Sequence, residues 1–313
     1  MSGLSIVYWK ELADYLGSRK FIILFLIVAL TAGSIIYVMY QSVSSDTSQF
    51  TGEYLFLKLF TFSAGTLPSF IFFVSFFGPL IGIIFGFDAV NSERSGGTMS
   101  MVLSQPIYRD ALINGKFLAG ITTIAIMLIS IIMIIFGLEI IVFGIIPTIQ
   151  ELARIGLFFL LSIVYIGFWM GLGILFSIVF RQTATSALVS IMVWIFFSFF
   201  ILMVANVIAD QMVPLGTDAT LELATKNENI RSMILRISPL ILFQECTNAI
   251  LNPSIRFFGI TTALKSLEVI PSPLSIGQSI LVVWPQFVIL IALILVCFAV
   301  SYVVFMRQEI RST

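Results

Sequence analysis

Long apolar runs without a single charge recur along this chain of 313 residues. Six such runs contain no Asp, Glu, Lys or Arg, and they cover residues 21–40, 59–87, 117–138, 155–180, 182–209 and 269–306. An α-helix rises about 1.5 Å per residue, so about 20 apolar residues cross the hydrocarbon core of a bilayer. In lipid, only helices and closed barrels satisfy their own backbone hydrogen bonds. Because the runs lack the alternation of barrel strands, they predict an all-α polytopic membrane protein with six transmembrane helices.

The uncharged runs also predict how the chain is divided. We expect one transmembrane domain over residues 1–313, with spans near 21–40, 66–90, 112–138, 155–180, 184–209 and 280–306. A cytoplasmic loop, residues 88–116, would join spans two and three. An external segment, residues 210–279, would join spans five and six through short helices lying over the outer mouth, because its few apolar residues could not bury a core of their own.

The distribution of basic residues predicts the orientation. Short loops rich in Lys and Arg stay on the cytoplasmic side of a membrane. With six spans both termini share one side, and that side carries nine basic residues: Lys10, Arg19, Lys20, Arg94, Arg109, Lys116, Arg181, Arg307 and Arg311. The short loops of the other side offer only Lys58 and Arg154. We therefore expect a multi-pass protein of the plasma membrane with both termini in the cytoplasm.

Composition excludes several kinds of partner and site. Hydrophobic residues make up 59% of the chain and charged residues only 10%, against about 25% in soluble domains. The 16 basic and 16 acidic residues balance, so no overall field favours nucleic acid. The chain has no His, and Cys246 and Cys297 lie outside and inside the last span, without metal-site spacing. Neither a metal site nor a disulfide is expected.

The sequence lacks the motifs of an ATPase or a membrane-embedded enzyme. Gly115-Lys116 has the ending of a phosphate-binding loop, but Phe117 follows where Ser or Thr is required. The acidic residues Asp88 and Glu139 fall at span ends, which argues against a proton-coupled carrier and an intramembrane protease. We expect a transport protein that is not itself an enzyme.

Residues 4–19 are predicted to form an amphipathic helix before the first span. At about 100° per residue, one side collects Leu4, Tyr8, Trp9, Leu12, Tyr15 and Leu16, and the other collects Lys10, Glu11 and Asp14. Such a helix, joined directly to a span, would lie in the cytoplasmic membrane interface and contact lipid. It would serve either as a plain anchor or also as support for a docking surface.

The cytoplasmic loop 88–116 is predicted to be a compact, rigid knob. Its sequence is DAVNSERSGGTMSMVLSQPIYRDALINGK. The helix of span two would continue to Arg94 and break at Gly96-Gly97. Thr98 would cap a short helix that Pro106 ends, and the following residues would lead into span three.

Small residues recur inside two spans. Gly78, Gly82 and Gly86 are spaced by four in span two, and Gly167 and Gly171 are spaced by four in span four. This spacing allows helices to approach closely. The approach would occur within one subunit, across a dimer or along a moving pathway.

The loop carries a motif that resembles the signature of ABC type-2 permeases, closest to the NosY-like branch. The matching positions are Glu93, Gly97-Thr98, Leu103-Ser104, Pro106, Arg109 and Gly115-Lys116, and Ser238-Pro239 and Asn252-Pro253 also look like that branch. The doubled glycine at 96–97 departs from the usual pattern. The resemblance extends over the whole chain, from the N-terminal helix to the long segment before span six.

This resemblance implies the subunit of a larger machine, an ATP-driven exporter. Such permeases pair as two six-span subunits, here with a second copy or a paralogue, and each docks a separate ABC ATPase. ATP and Mg²⁺ would be bound by that ATPase, with no cofactor in this chain. Coupling would use Glu93, Arg94, Gly97, Thr98, Leu103, Pro106, Arg109 and Lys116, with Glu93 and Arg109 either bridging to the ATPase or bracing the loop.

Two other classes remain open from the residues alone. One is a carrier or channel that works without an ATPase, and the other is a membrane-embedded enzyme, for which no catalytic set of residues can be assembled. The apolar, Phe-rich spans favour a hydrophobic or amphipathic cargo, but lipid-facing residues would give the same composition.

Overall fold

The computed structural model describes residues 3–45, 54–61, 69–97, 108–214, 220–253 and 273–307. These residues form helices and no strand, which confirms the all-α prediction. In chain order they are α1 (Gly3–Leu16), α2 (Arg19–Ser45), α3 (Leu55–Thr61), α4 (Phe70–Gly86), α5 (Asn91–Ser95), α6 (Arg109–Phe143), α7 (Ile149–Val179), α8 (Thr183–Ile195), α9 (Ile201–Met212), α10 (Leu221–Leu235), α11 (Pro239–Leu251), α12 (Ile276–Val282) and α13 (Trp284–Arg307). A π-helical turn, Phe196–Phe200, joins α8 to α9.

Six spans are long and apolar enough to cross a membrane, as predicted. They are Arg19–Val38, Phe70–Ser95, Arg109–Phe143, Ile149–Val179, Thr183–Met212 and Trp284–Arg307. The chain is therefore a multi-pass membrane protein. We call the side with α1, α5 and the start of α6 the N-terminal side, and the side where α6 meets α7 the far side.

Two charged residues expected near the membrane surface lie inside helices and are buried. Span four begins at Ile149 instead of 155, so Arg154 belongs to α7 and not to a loop. Span three continues to Phe143 instead of 138, so Glu139 lies within α6. Its carboxylate borders a small apolar cavity and has no hydrogen-bond partner among the described residues.

Local sequence explains where the long helices begin and end. Thr148 and Glu151 form a capping box at the start of α7, each satisfying a backbone N–H of the other. Ser69 caps α4 by accepting from the N–H of Phe72. Helix α6 ends at Phe143 and is capped by Gly144, whose φ of 66° is readily adopted only by glycine.

Helices α4 and α7 form the centre of the bundle. A side chain on Gly82 or Gly86 would collide with the carbonyl oxygens of Ile166 and Met170 in α7. Gly78 faces the side chain of Ile166 at 3.1 Å from its ideal Cβ position. In α7, Gly167 faces Ile121 and Ile294, and Gly171 faces Phe117 and Cys297. The five predicted packing glycines therefore lie at helix contacts within one chain.

The segment between spans five and six does not lie only over the far side. Helix α10 runs along α9, and the chain then bends by 111° into α11. Helix α11 packs against α4, α7 and α13, and most of its side chains are buried. The expectation that the short helices of 210–279 lie over the outer mouth is therefore wrong for α11, because its apolar face fills the bundle.

Candidate functional site

The N-terminal helix packs closely on the start of span three. The Val7 side chain lies where Gly115 leaves room, since a Cβ on Gly115 would approach Val7 Cγ1 to 2.6 Å. The Tyr8 hydroxyl donates to Thr122 Oγ1 at 3.2 Å. Helix α1 is therefore part of the bundle and does more than rest on a membrane surface. We call α1, α5 and residues 109–122 of α6 the N-terminal junction.

A buried ion-pair cluster lies inside this junction. Lys116 Nζ lies 3.0 Å from Glu11 Oε1 and 2.9 Å from Glu93 Oε1, and the three side chains are only 5%, 8% and 12% exposed. Lys10 Nζ lies 2.9 Å from the same Glu11 oxygen. Lys10 also pairs with the exposed Asp14 carboxylate at 3.3 Å, so Lys116 has two carboxylate partners and Glu11 has two lysine partners. It joins α1, α5 and α6, which are far apart in the sequence.

The electrostatics keep the Glu11 carboxylate ionised. Burial alone raises its pKa, but the positive charges of Lys116 and Lys10 outweigh burial, so the pKa lies below its ordinary value. Burial also raises the pKa of Tyr15, and neighbouring carboxylates add to that effect. The neutral Tyr15 hydroxyl donates to the carbonyl of Phe85 at 3.3 Å, which ties α1 to the end of α4.

Helix α5 is held against the last turn of α7. The backbone N–H groups of Val90 and Asn91 both donate to Ser177 Oγ at 3.0 Å, at the break between α4 and α5. Arg94 Nη1 donates to the carbonyl of Ile178 at 3.1 Å. A cation near a helix C-terminus is favoured by the helix dipole. Two hydrogen-bonded contacts therefore fix the direction of α5.

The predicted coupling residues divide into a described group and an undescribed one. Glu93 and Arg94 lie in α5, Arg109 is the first residue of α6, and Lys116 lies two turns further on. Gly97 follows α5 with a φ of 67°, which fits the predicted break. Thr98, Leu103 and Pro106 lie outside the described residues, so the predicted short helix there is untested.

The sequence pattern misjudged one face of α1. Glu11 was expected on the polar side, yet it is buried with Leu12 and Val7, whereas Trp9 is exposed. Tyr8, Tyr15 and Leu16 are half-buried. Glu93 is almost buried as well, so its replacement would touch a packed region.

The junction offers no chemistry of its own among the described residues. They contain no group of three residues suited to hold a metal ion. The arrangement instead fixes four helix segments relative to one another: α1, α5, the start of α6 and the end of α7. A displacement of one of these segments would therefore be transmitted to the others.

Comparison with known proteins identifies the class. The family described as ABC-2 family transporter proteins matches residues 5–310, and the chain belongs to this family. The chain is therefore a membrane-spanning transport subunit of the ABC type.

A curated relative agrees with this class. The chain is similar to the probable ABC transporter permease protein NosY of Pseudomonas aeruginosa, with 30% identity over 109 residues. The matched part covers 35% of this chain and 35% of that protein. The chain thus aligns with about a third of the relative's length.

Proposed function

We propose that this chain is the permease subunit of an ATP-driven exporter, driven by a separate ABC ATPase that docks on the loop 88–116. Two permease subunits, identical or paralogous, would form the substrate pathway, and two ATPase copies would bind ATP and Mg²⁺. The N-terminal side would face the cytoplasm of a cell whose plasma membrane holds the protein. The observation that carries this proposal is the buried cluster of Glu11, Glu93 and Lys116.

A docked ATPase can move the helices of a permease only if the segment it contacts is rigidly attached to those helices. Helix α5 belongs to the first part of the loop 88–116, and the Glu93–Lys116 pair connects α5 to α6 at 2.9 Å. The Glu11–Lys116 pair adds α1 at 3.0 Å. Buried pairs resist separation because each partner would leave an uncompensated charge behind. A displacement of the loop would therefore move α1, α5 and α6 together.

The motion would continue into the centre of the bundle. Ser177 and the carbonyl of Ile178 bind the α5 region to α7. Helix α7 in turn packs on α4 with almost no space at Gly82 and Gly86. Closely packed helices shift as units instead of deforming. In this proposal Glu93 and Lys116 act inside the permease and do not themselves bind the ATPase.

The test compares the substitution of a nearly buried carboxylate, Glu93, with that of an exposed carboxylate, Glu222. Glu93→Gln keeps the shape and lets Lys116 retain Glu11, so the complex with the ATPase should still form. Substrate-stimulated ATP hydrolysis and transport should fall together, because the connection is weakened. Glu222→Gln, on an exposed residue of α10, should change neither activity.

Two results would contradict the proposal. If the Glu93→Gln complex transports at the full rate, Glu93 does not take part in coupling to the ATPase. Transport by the purified permease in vesicles without any ATPase would favour the carrier or channel instead.

A further inference from the structure

Helix α10 carries polar side chains into the part of the bundle that lies within the membrane. Asn227 Nδ2 donates to the carbonyl of Val213 at 2.9 Å and to Asp210 Oδ1 at 3.1 Å. Asp210 directly follows the uncharged stretch 182–209, so Asn227 lies close to the membrane boundary. From there α10 continues along α9 for about 12 Å, to Leu235. Glu228, Asn229, Arg231 and Ser232 lie on this deeper part.

Two independent contacts place the turn after α10 near the middle of the membrane. Ser238 Oγ donates to the carbonyl of Phe197 at 2.7 Å, and Phe197 lies near the midpoint of the uncharged stretch 182–209. The Phe243 ring stacks on Tyr165 with centroids 4.2 Å apart. Tyr165 lies near the midpoint of the uncharged stretch 155–180.

A charged pair lies at this depth. Arg236 Nε lies 3.2 and 3.0 Å from the two carboxylate oxygens of Glu245, and Gln286 Nε2 donates to Glu245 Oε2 at 2.7 Å. The Arg236 side chain is 38% exposed and that of Glu245 is 13% exposed. Among the described residues, no acceptor contacts the two Nη groups of Arg236.

The exposed side of this pair does not suit lipid. A charged side chain in contact with hydrocarbon near the bilayer centre is costly, so such residues face water or protein. Above this pair, Arg231 pairs with Glu228 at 2.9 Å and lies 3.7 Å from Asp210, whereas Asn229 and Ser232 are uncharged polar groups on the same helix.

Asn229, Ser232 and Arg236 lie on one side of α10, next to the exposed apolar side chains of Met233 and Ile237. A partly polar side that reaches mid-membrane indicates a water-filled vestibule.

We propose that α10 and the turn 236–238 line a vestibule open to the far side, and that Arg236 binds an oxyanion of the cargo, a phosphate or carboxylate. The inference rests on the proposed export function, for which it names the cargo chemistry. Arg236 Nε donates to Glu245, so the two Nη groups of Arg236 remain as a pair of donors for two oxygens of such an anion. Because the pair is neutral overall, binding is moderate, and the anion can leave.

Water access is tested by cysteine labelling in intact cells with a membrane-impermeant maleimide. Ile237→Cys, beside Arg236 and 59% exposed, should be labelled from outside. Leu295→Cys is 62% exposed at a similar depth, next to the Ile294 that faces Gly167, and it should stay unlabelled. Thr225→Cys, near the start of α10, reports the orientation.

The outcomes separate this inference from the proposed function. Labelling at 225 but not at 237 overturns the vestibule and leaves the exporter proposal intact. Labelling at neither position overturns the vestibule and also contradicts the proposed orientation. Equal labelling at 237 and 295 likewise overturns it, because position 237 would then have no special access.

Oxyanion binding is tested on the purified full-length Ile237→Cys protein. Inorganic phosphate or octyl phosphate should slow labelling, and octyltrimethylammonium should not. The variant with both Arg236→Gln and Glu245→Gln lacks both charges of the pair, so neither charge is left unpaired. In this variant, protection of the introduced cysteine by phosphate should be about tenfold weaker or more. Glu245→Gln alone keeps Arg236 and should retain protection.

The two phosphates distinguish the source of the anion. Protection by both supports recognition of the oxyanion itself, and protection by octyl phosphate alone supports a lipid-like phosphate cargo. Protection by neither, or equal protection in the double variant, overturns the assignment of Arg236.

Discussion

Two basic side chains are almost fully buried at opposite ends of the bundle, and their charges are stabilised in different ways. Lys116, on the N-terminal side, contacts the carboxylates of Glu11 and Glu93. Arg154, on the far side, donates instead to neutral oxygens. They are the carbonyl of Ile250 at 2.6 Å, Ser279 Oγ at 3.2 Å and the carbonyl of Leu274 at 2.5 Å.

The difference concerns what is left when the contact breaks. Separating Lys116 from its partners leaves buried opposite charges without compensation, which is strongly unfavourable. Separating Arg154 leaves one cation and neutral carbonyl and hydroxyl oxygens, which water on the far side could hydrate, but no unpaired carboxylate. The Ile250 carbonyl also belongs to the last turn of α11, where the helix dipole favours a cation. We infer that the N-terminal junction has one arrangement, whereas α11 is held by contacts that can be exchanged.

Replacement of Lys116 should have the largest effect. Lys116→Met leaves two buried carboxylates facing each other, so we expect a loss of about 3–5 kcal/mol in stability. Thermal unfolding of the purified protein would show it. Lys10→Met is the matched control, because that lysine is 60% exposed and its pairs should contribute about 0–1 kcal/mol.

A rescue variant shows whether charge is the cause. Adding Glu11→Gln and Glu93→Gln to Lys116→Met removes the uncompensated carboxylates and should restore much of the stability. If Lys116→Met is as stable as Lys10→Met, the proposed contrast between the two ends does not hold.

Replacement of Arg154 should have a smaller and more local effect. Arg154→Met removes charge-assisted hydrogen bonds worth about 2–3 kcal/mol. Cys246 on α11 is fully buried and provides a natural reporter, because it should react faster with a small thiol reagent once α11 loosens. Cys297 on α13 should keep its reactivity.

Arg154→Lys sharpens this test. It retains the charge but lacks the two Nη groups that reach Ile250 and Leu274, so its Cys246 reactivity should be intermediate. Unchanged reactivity in both variants would show that Arg154 does not hold α11.

The same buried charges mark what the sequence could and could not predict. The six spans could be predicted from the long stretches without charge, because the transfer of a helix into lipid depends on its composition. Helical periodicity placed Glu11 on a polar face, and the loop rule placed Arg154 outside the membrane, because both rules treat a charge as solvated. Their partners, Lys116 and Ile250, are distant in sequence, so only the fold brings them together.

The hairpin of α10 and α11 was misjudged for a related reason. Its polar first half is typical of an external segment, and its apolar second half is too short for a span. Contacts with α4, α7 and α13 decide its depth. In contrast, Glu93 and Gly115-Lys116 stand out in the sequence motif, although the contacts of Gly115 and Lys116 with α1 do not follow from it.

The last prediction separates packing from charge at the N-terminal junction. Gly115→Ala would push a methyl group to 2.6 Å from Val7 Cγ1, and the helices must move apart at a cost of about 1–3 kcal/mol. Gly137→Ala in the same helix meets nothing within 4 Å and should be neutral or stabilising by up to about 1 kcal/mol.

Trimming the opposing side chain should remove the collision. The double variant Val7→Ala/Gly115→Ala should therefore be no less stable than Val7→Ala alone, in the same unfolding assay. If Gly115→Ala by itself costs nothing, α1 can shift on α6 while Lys116 keeps its carboxylates, and the ion pairs alone fix the junction. If it does destabilise the protein, close packing and buried charge hold α1 together, which is the stiffer connection that coupling to an ATPase requires.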